Sequence, residues 1–323
     1  QISRSIKYKC PEYVISLSQY KEAMKEFEKT TGKIYKAILY DATTTKWSNE
    51  LKKTLDFIIP NLENNVKHRH YQYDIAVVCA LEEELKQVKK VLSELKQITV
   101  PFDDQVYFEG LMEGSGKKIK VVIASAFQMG MVAASTLTTN IIHNFVPRYV
   151  VMTGIAAGIK KYTNMGDAVV AEFTWDYGAG KEIVDDNGFH RHLNTIKPID
   201  TDSTILAKVR QLQQDKTFLS NIEASFDGKV PDTKFKIVIG PMATGAAVVA
   251  DAEKVEYIMD RQMRNVVAIE MEAYGMYYAA NWAVQPKPKF LAIKSICDYA
   301  DKKKDDDFHE YASYTSVKVF EKL

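Results

Sequence analysis

Cysteine is scarce in this chain, charge is balanced and long apolar runs are missing. The three cysteines, Cys10, Cys79 and Cys297, are odd in number and far apart. That excludes a disulfide framework and a CxxC-type motif as organising features. Cys79 and Cys297 stand in apolar runs, as reduced thiols of a cytoplasmic protein do. The six histidines show no zinc-ligand spacing, so neither a metal nor a cofactor is expected. Lys plus Arg number 43 against 42 Asp plus Glu, a net charge of +1, and no overall field draws the molecule to nucleic acid or to a membrane surface. No run reaches the roughly 20 apolar residues that a membrane-spanning helix needs, and no signal-peptide pattern, internal repeat or low-complexity tract is evident. The first residue is Gln1 rather than Met, which leaves the chain readable as a fragment.

What is present suits a large core. Hydrophobic residues make up 46% and charged residues 26% of 323, a composition for one large α/β domain with an appendage. Asn61-Leu62-Glu63-Asn64-Asn65 and Lys67-His68-Arg69-His70 lack any apolar period and read as a linker over 61–73. It separates an N-terminal module, residues 1–60, from a main domain, residues 74–323. In the module, Tyr13-Val14-Ile15-Ser16-Leu17 reads as a strand, 19–29 as an amphipathic helix and Ala37-Ile38-Leu39-Tyr40 as a second strand ending at Asp41, one βαβ unit. This unit resembles the middle of a response-regulator receiver domain, whose phosphate-accepting Asp would match Asp41. That family's acidic pair and its later Thr/Ser and Lys are not found, so Asp41 also reads as the end of a strand in a docking module.

From Tyr73 onward strand and helix signals alternate, the pattern of an α/β domain with a mixed, mostly parallel central sheet flanked by helices. Strands are expected over 75–80, 120–126, 149–153, 168–173, 236–239, 266–269 and 290–296, and helices over 82–95, 131–145, 203–214, 251–262, 272–282 and 307–322. Between Gly178 and Asp202 the periodicity is lost, and Asp185-Asp186-Asn187-Gly188 reads as a turn in a long connection.

Carboxylates gather at the ends of these elements. Ala268-Ile269-Glu270-Met271-Glu272-Ala273 closes one strand, and Asp298 closes another, 26 residues after Glu272, in Lys294-Ser295-Ile296-Cys297-Asp298-Tyr299-Ala300-Asp301. Glu82-Glu83-Glu84 opens a helix. Acids at a helix start meet the macrodipole favourably and a strand-terminal Asp makes turns. Carboxylates at the carboxyl ends of strands in open α/β sheets also face the ligand crevice. Breaking a ribose–purine bond needs one carboxylate facing the sugar hydroxyls and an acid for the leaving base, and these positions could supply both.

The order of motifs resembles the purine nucleoside phosphorylase and nucleosidase superfamily over residues 73–323, with the greatest likeness to methylthioadenosine/adenosylhomocysteine nucleosidases. Ala80-Leu81-Glu82-Glu83-Glu84, Thr153-Gly154-Ile155-Ala156-Ala157-Gly158, Met165-Gly166-Asp167-Ala168-Val169-Val170, Gly240-Pro241-Met242-Ala243-Thr244-Gly245 and then the Glu-Met-Glu and Cys-Asp motifs appear in family order. By this resemblance Glu84 polarises the attacking water, Glu272 binds the ribose hydroxyls and Asp298 protonates the purine. Met271 packs on the sugar face, Glu270 supports it, and Ala156, Ala157, Val249 and Lys294 complete the substrate-binding set.

Four positions depart from the family pattern. Cys297 stands for Ser, Lys294 for Arg, Ile155 for a small polar residue, and Val248 for an aromatic ring. The phosphorylases' arginine-bearing phosphate loop is missing after the first strand, which favours hydrolysis, although Arg148 or Lys294 could hold an anion.

The implied activity is hydrolysis of the N-ribosidic bond of an adenine nucleoside or nucleotide. A receiver-like segment fused to such a domain resembles bacterial effectors that destroy adenine nucleotides on phage infection, so ATP stands beside methylthioadenosine as a substrate. Alternatives are a phosphorolytic purine nucleoside phosphorylase and a catalytically silent nucleotide-binding module. The runs Lys160-Lys161-Tyr162 and Lys302-Lys303-Lys304, with Lys197, read as solvated charge, whereas Lys181, His190 and Arg191 are candidate contacts for a 5′-phosphate. Family relatives form dimers or larger rings, so a homo-oligomer is expected, and the helix bearing Val132, Leu137 and Ile141 reads either as its interface or as core. An upstream regulator would act through the N-terminal module.

Overall fold

A computed structural model of the chain describes residues 14–18, 35–39, 43–67, 70–114, 116–249, 251–300 and 307–323. The helix expected over 19–29, Asp41, Cys10 and the lysines at 302–304 lie outside these residues. The chain divides into two compact units, residues 1–69 and 70–323.

In the first unit, β1 (Val14–Ser18) and β2 (Tyr35–Leu39) pair in parallel, with Val14 opposite Tyr35. A 22-residue helix, α1 (Lys46–Lys67), follows. The polar stretch expected as a linker over 61–73 is therefore helical as far as Lys67. Asn, Glu and Lys are tolerated in helices at small cost, so a missing apolar period does not end one.

The second unit is built on a large mixed sheet. At its centre β3 (Tyr73–Cys79) lies parallel to both β6 (Lys117–Ser125) and β7 (Pro147–Gly158), and β14 (Lys289–Asp298) lies parallel to β7 on the other side. Ala76, Val77, Val78 and Cys79 are all buried, as are Val121, Val122, Ile123 and Ala124. Strands covered on both faces need such unbroken apolar runs. β8 (Ala168–Asp176) pairs with β14 antiparallel and with β12 (Ile237–Thr244) parallel, and β13 (Ala268–Glu270) joins β12 back to the far half of β7. The strands β7, β14, β8, β12 and β13 thus close a ring, in which Ala157 near the end of β7 lies opposite both Ile269 of β13 and Asp298 of β14.

Beyond β6 the sheet continues antiparallel through β5 (Asp103–Gly114) and β4 (Ser93–Val100). The helix expected over 82–95 is correspondingly shorter: α2 (Glu82–Lys90) stops at Val91, and Ser93 begins β4, with Glu94 at a φ of 51°. The first five residues of β4 are exposed, so it shows none of the apolar alternation that marks a half-buried strand. The long connection after Gly178 contains β9 (Gly180–Val184) and β10 (His190–Asn194), an antiparallel pair, and then β11 (Ile199–Asp200) on the edge of β8.

The flanking helices are α3 (Met131–Phe145), α4 (Ser203–Leu212), α5 (Lys216–Ala224), α6 (Ala252–Arg261), α7 (Ala273–Asn281) and α8 (His309–Lys322). On α3, Leu137 and Ile141 are in the core of the unit, while Val132 is 79% exposed. Of the three, only Val132 is available at the surface. Among the described residues no helix is long and apolar enough to cross a membrane.

Candidate active site

Glu84 is the third residue of α2 and is buried. Its Oε2 accepts the N–H groups of Ala80 at 2.7 Å and Leu81 at 3.1 Å, and its Oε1 accepts that of Ile155 at 3.0 Å. Reaching back to the start of the helix is what a Glu at this position of a capping box does. The contact to β7 requires Gly154, where a β-carbon would fall inside the Glu84 carboxylate. A carboxylate offers about four lone-pair sites, so three backbone bonds fix its orientation and leave room on Oε1. Burial raises the Glu84 carboxyl above its ordinary range, against the pull of Lys294.

β13 is only three residues long and ends at Glu270. Glu270 Oε2 accepts the N–H groups of Glu272 and Ala273, both at 2.8 Å, and Oε1 accepts the Thr244 hydroxyl. Glu270 thereby caps α7, and burial pushes its carboxyl up, again opposed by Lys294. Glu272, at the N-cap of α7, turns the other way: its Oε1 accepts the Gly130 N–H at 2.9 Å.

Lys294, on β14, holds the group together. It is 1% exposed, and its Nζ lies 3.4 Å from Glu272 Oε2, 3.8 Å from Glu84 Oε1 and 4.0 Å from Glu270 Oε2. Burial works to strip its proton, but the three carboxylates outweigh this and raise its pKa above the usual lysine value. A planar guanidinium would bind in a fixed fork; the ammonium is a compact charge that three acids can share.

Asp298 closes β14, where its Oδ1 accepts the Ala300 N–H at 2.8 Å. The register of β14 against β7 slips between Ile296 and Asp298. In a regular strand neighbours face opposite ways, but at this irregularity Cys297 and Asp298 both line the same cavity. Cys297 Sγ lies 3.6 Å from the Ala156 carbonyl oxygen and 3.6 Å from Asp298 Oδ2.

One cavity brings together Glu84, Glu270, Met271, Glu272, Lys294, Asp298, Ala156, Ala157 and Val249. Lys181, His190 and Arg191 do not line it. They are exposed on the β9–β10 pair, where Arg191 Nε is 2.5 Å from Asp185 Oδ2. Arg148 is also outside, 5.3 Å from the Tyr71 ring centroid. Three lining residues, Met129, Ala247 and His309, are not singled out by any motif in the sequence. His309 is the first residue of α8, with Nδ1 3.4 Å from Glu83 Oε1. Its only sequence signal is a place at a helix start shortly after a strand-terminal Asp.

The family model described as the phosphorylase superfamily matches residues 74–323. The chain is 27% identical to protein y4jS of Sinorhizobium fredii over 335 aligned residues, covering 99% of this chain and 79% of that one. It is 24% identical over 256 residues to the ATP nucleosidase Cap17 of Escherichia coli, covering 75% of this chain but 49% of the relative, so it spans about half that relative's length. Its fold is similar to the crystal structure of 5′-methylthioadenosine/S-adenosylhomocysteine nucleosidase from Neisseria meningitidis in complex with methylthio-immucillin-A. The TM-score is 0.56 at 24% identity, covering 77% of this chain and 97% of that one.

Proposed function

Because the chain belongs to the phosphorylase superfamily over residues 74–323, we propose that it hydrolyses the N-ribosidic bond of an adenine nucleoside or nucleotide and releases adenine. The observation that carries this reading is the meeting of Glu84, Glu272 and Asp298 around one cavity. Water bound to Glu84 attacks the anomeric carbon as the bond to the base nitrogen breaks. Its proton passes to Glu84, which the backbone orients and burial makes more basic. Glu272 accepts hydrogen bonds from the ribose hydroxyls, and its negative charge stabilises the cation-like sugar. Asp298 gives a proton to the purine, so that the base leaves neutral. Glu270, with both oxygens engaged by Thr244 and the start of α7, holds Glu272 in place.

Charge favours water over phosphate as the nucleophile. Among the described residues lining the cavity, Lys294 is the one lysine or arginine, and three carboxylates already surround it. A phosphate dianion would add charge to a site that is already negative. The names of the relatives support adenosine-type substrates and extend them to ATP.

The test is to incubate the protein with adenosine, methylthioadenosine, AMP and ATP, with and without phosphate, and to follow free base by chromatography. Adenine release without phosphate is expected from at least one of the four. Strict phosphate dependence would indicate phosphorolysis instead, and binding without base release would indicate a silent module.

A homo-oligomer belongs to the same reading. It is supported by exposed Val132 on α3 and by exposed Tyr278, Trp282 and Val284 at the end of α7.

A further inference from the structure

We propose that Cys297, Asp298 and His309 form a binding site for a thiophilic divalent cation of the zinc class, and that an ion held there shuts the active site. The inhibition rests on Asp298 being the acid of the proposed reaction; the binding does not.

One ligand atom from each of the three residues lies within 4.8 Å of the other two, and Cys297 Sγ is 3.6 Å from Asp298 Oδ2. In a tetrahedral zinc site with Zn–S near 2.3 Å and Zn–N or Zn–O near 2.0 Å, ligand atoms stand about 3.3–3.5 Å apart. Small side-chain rotations would close the set around an ion. The strand irregularity before Asp298 makes this possible, because it turns two consecutive residues to one side.

Thiolate, imidazole and carboxylate together suit zinc and its soft neighbours rather than magnesium or calcium, which take oxygen. Glu83 adds the outer contact such sites use. With its carboxylate 3.4 Å from His309 Nδ1, it orients the ring so that Nε2 is the ligating atom. Binding would release the Cys297 thiol proton to solvent. The ion would then occupy the Asp298 carboxylate, which could no longer carry a proton to the leaving base. The spacing 297, 298 and 309 matches no familiar zinc pattern, so only the fold reveals the cluster.

The test uses the full chain in reducing, metal-free buffer. Co²⁺ is titrated while the thiolate-to-cobalt charge-transfer band is followed in the near ultraviolet, and adenine release is measured with Zn²⁺ and after EDTA. One equivalent of Co²⁺ should give the band, and Zn²⁺ should displace it. Cys297→Ser should abolish the band, and His309→Gln should weaken binding by about 10-fold or more. Zn²⁺ should stop adenine release and EDTA should restore it. If Cys297→Ser does not fold by circular dichroism, His309→Gln decides alone. No band, or a band with unchanged affinity in the folded variants, would overturn the site. A band in a protein that never releases adenine would leave the metal site standing and remove the proposed reaction. Adenine release without a band would do the reverse.

Discussion

The cluster of Glu84, Glu270, Glu272 and Lys294 and the hairpin carrying Lys181, His190 and Arg191 use similar residue types under opposite conditions. In the cluster every carboxylate is buried and takes at least one backbone N–H, and Lys294 sits among all three. In the hairpin the pairs Arg191–Asp185 and His192–Glu182 join side chains at the surface, where water and salt reduce such pairs to about 0–1 kcal/mol. The difference teaches that charge density alone identifies no site. Charge becomes chemistry where the backbone fixes it and water is kept away.

Six substitutions sharpen this contrast. The largest effect is expected from Lys294→Met, which strands three carboxylates in the interior. Breaking a buried ion cluster by removing one partner costs about 3–5 kcal/mol, and urea denaturation should register it together with loss of adenine release. Next come Glu272→Gln and Asp298→Asn, which keep size and hydrogen bonding but remove the charge or the proton. Each should lower kcat by roughly 10²-fold or more while the unfolding midpoint stays near wild type; retained kcat would refute the assigned roles.

Gly154→Ala should follow, because its β-carbon meets the Glu84 carboxylate. Overpacking of this kind costs about 1–3 kcal/mol, readable as a lower melting temperature with a matching fall in rate. The smallest effect belongs to the hairpin. Arg191→Ala and Lys181→Ala should change stability by no more than about 0.5 kcal/mol. A rise in KM for AMP or ATP that spares adenosine would reveal a phosphate contact there and blur the contrast.

Much of this architecture is written in hydrophobic pattern. β3, β7 and β14 are largely buried and announce themselves by the apolar runs 75–79, 149–152 and 290–293, and α3 has the expected bounds of Met131–Phe145. Exposed strands are different: no strand is expected over β4, whose side chains meet solvent and whose first three residues fall inside an expected helix, and β9 and β10 read as an aperiodic connection. The same limit applies at the cavity. Glu84, Glu272 and Asp298 stand out because they sit at element ends, a local property. The position of Lys294 between three acids depends on three chain segments meeting, and the approach of His309 to Asp298 depends on where α8 begins after the strand irregularity. Leu137 and Ile141 illustrate the converse, since a helix that could have been an interface buries them in its own core.

In the proposed reaction Glu84 activates water at the sugar carbon while Asp298 serves the base. Cleavage of adenosine, methylthioadenosine, AMP or ATP in ¹⁸O-labelled water without phosphate, followed by mass spectrometry of the sugar product, tests this most directly. One labelled oxygen at the anomeric carbon is expected, and Glu84→Gln should abolish its formation. An unlabelled sugar phosphate formed only when phosphate is present would contradict the account.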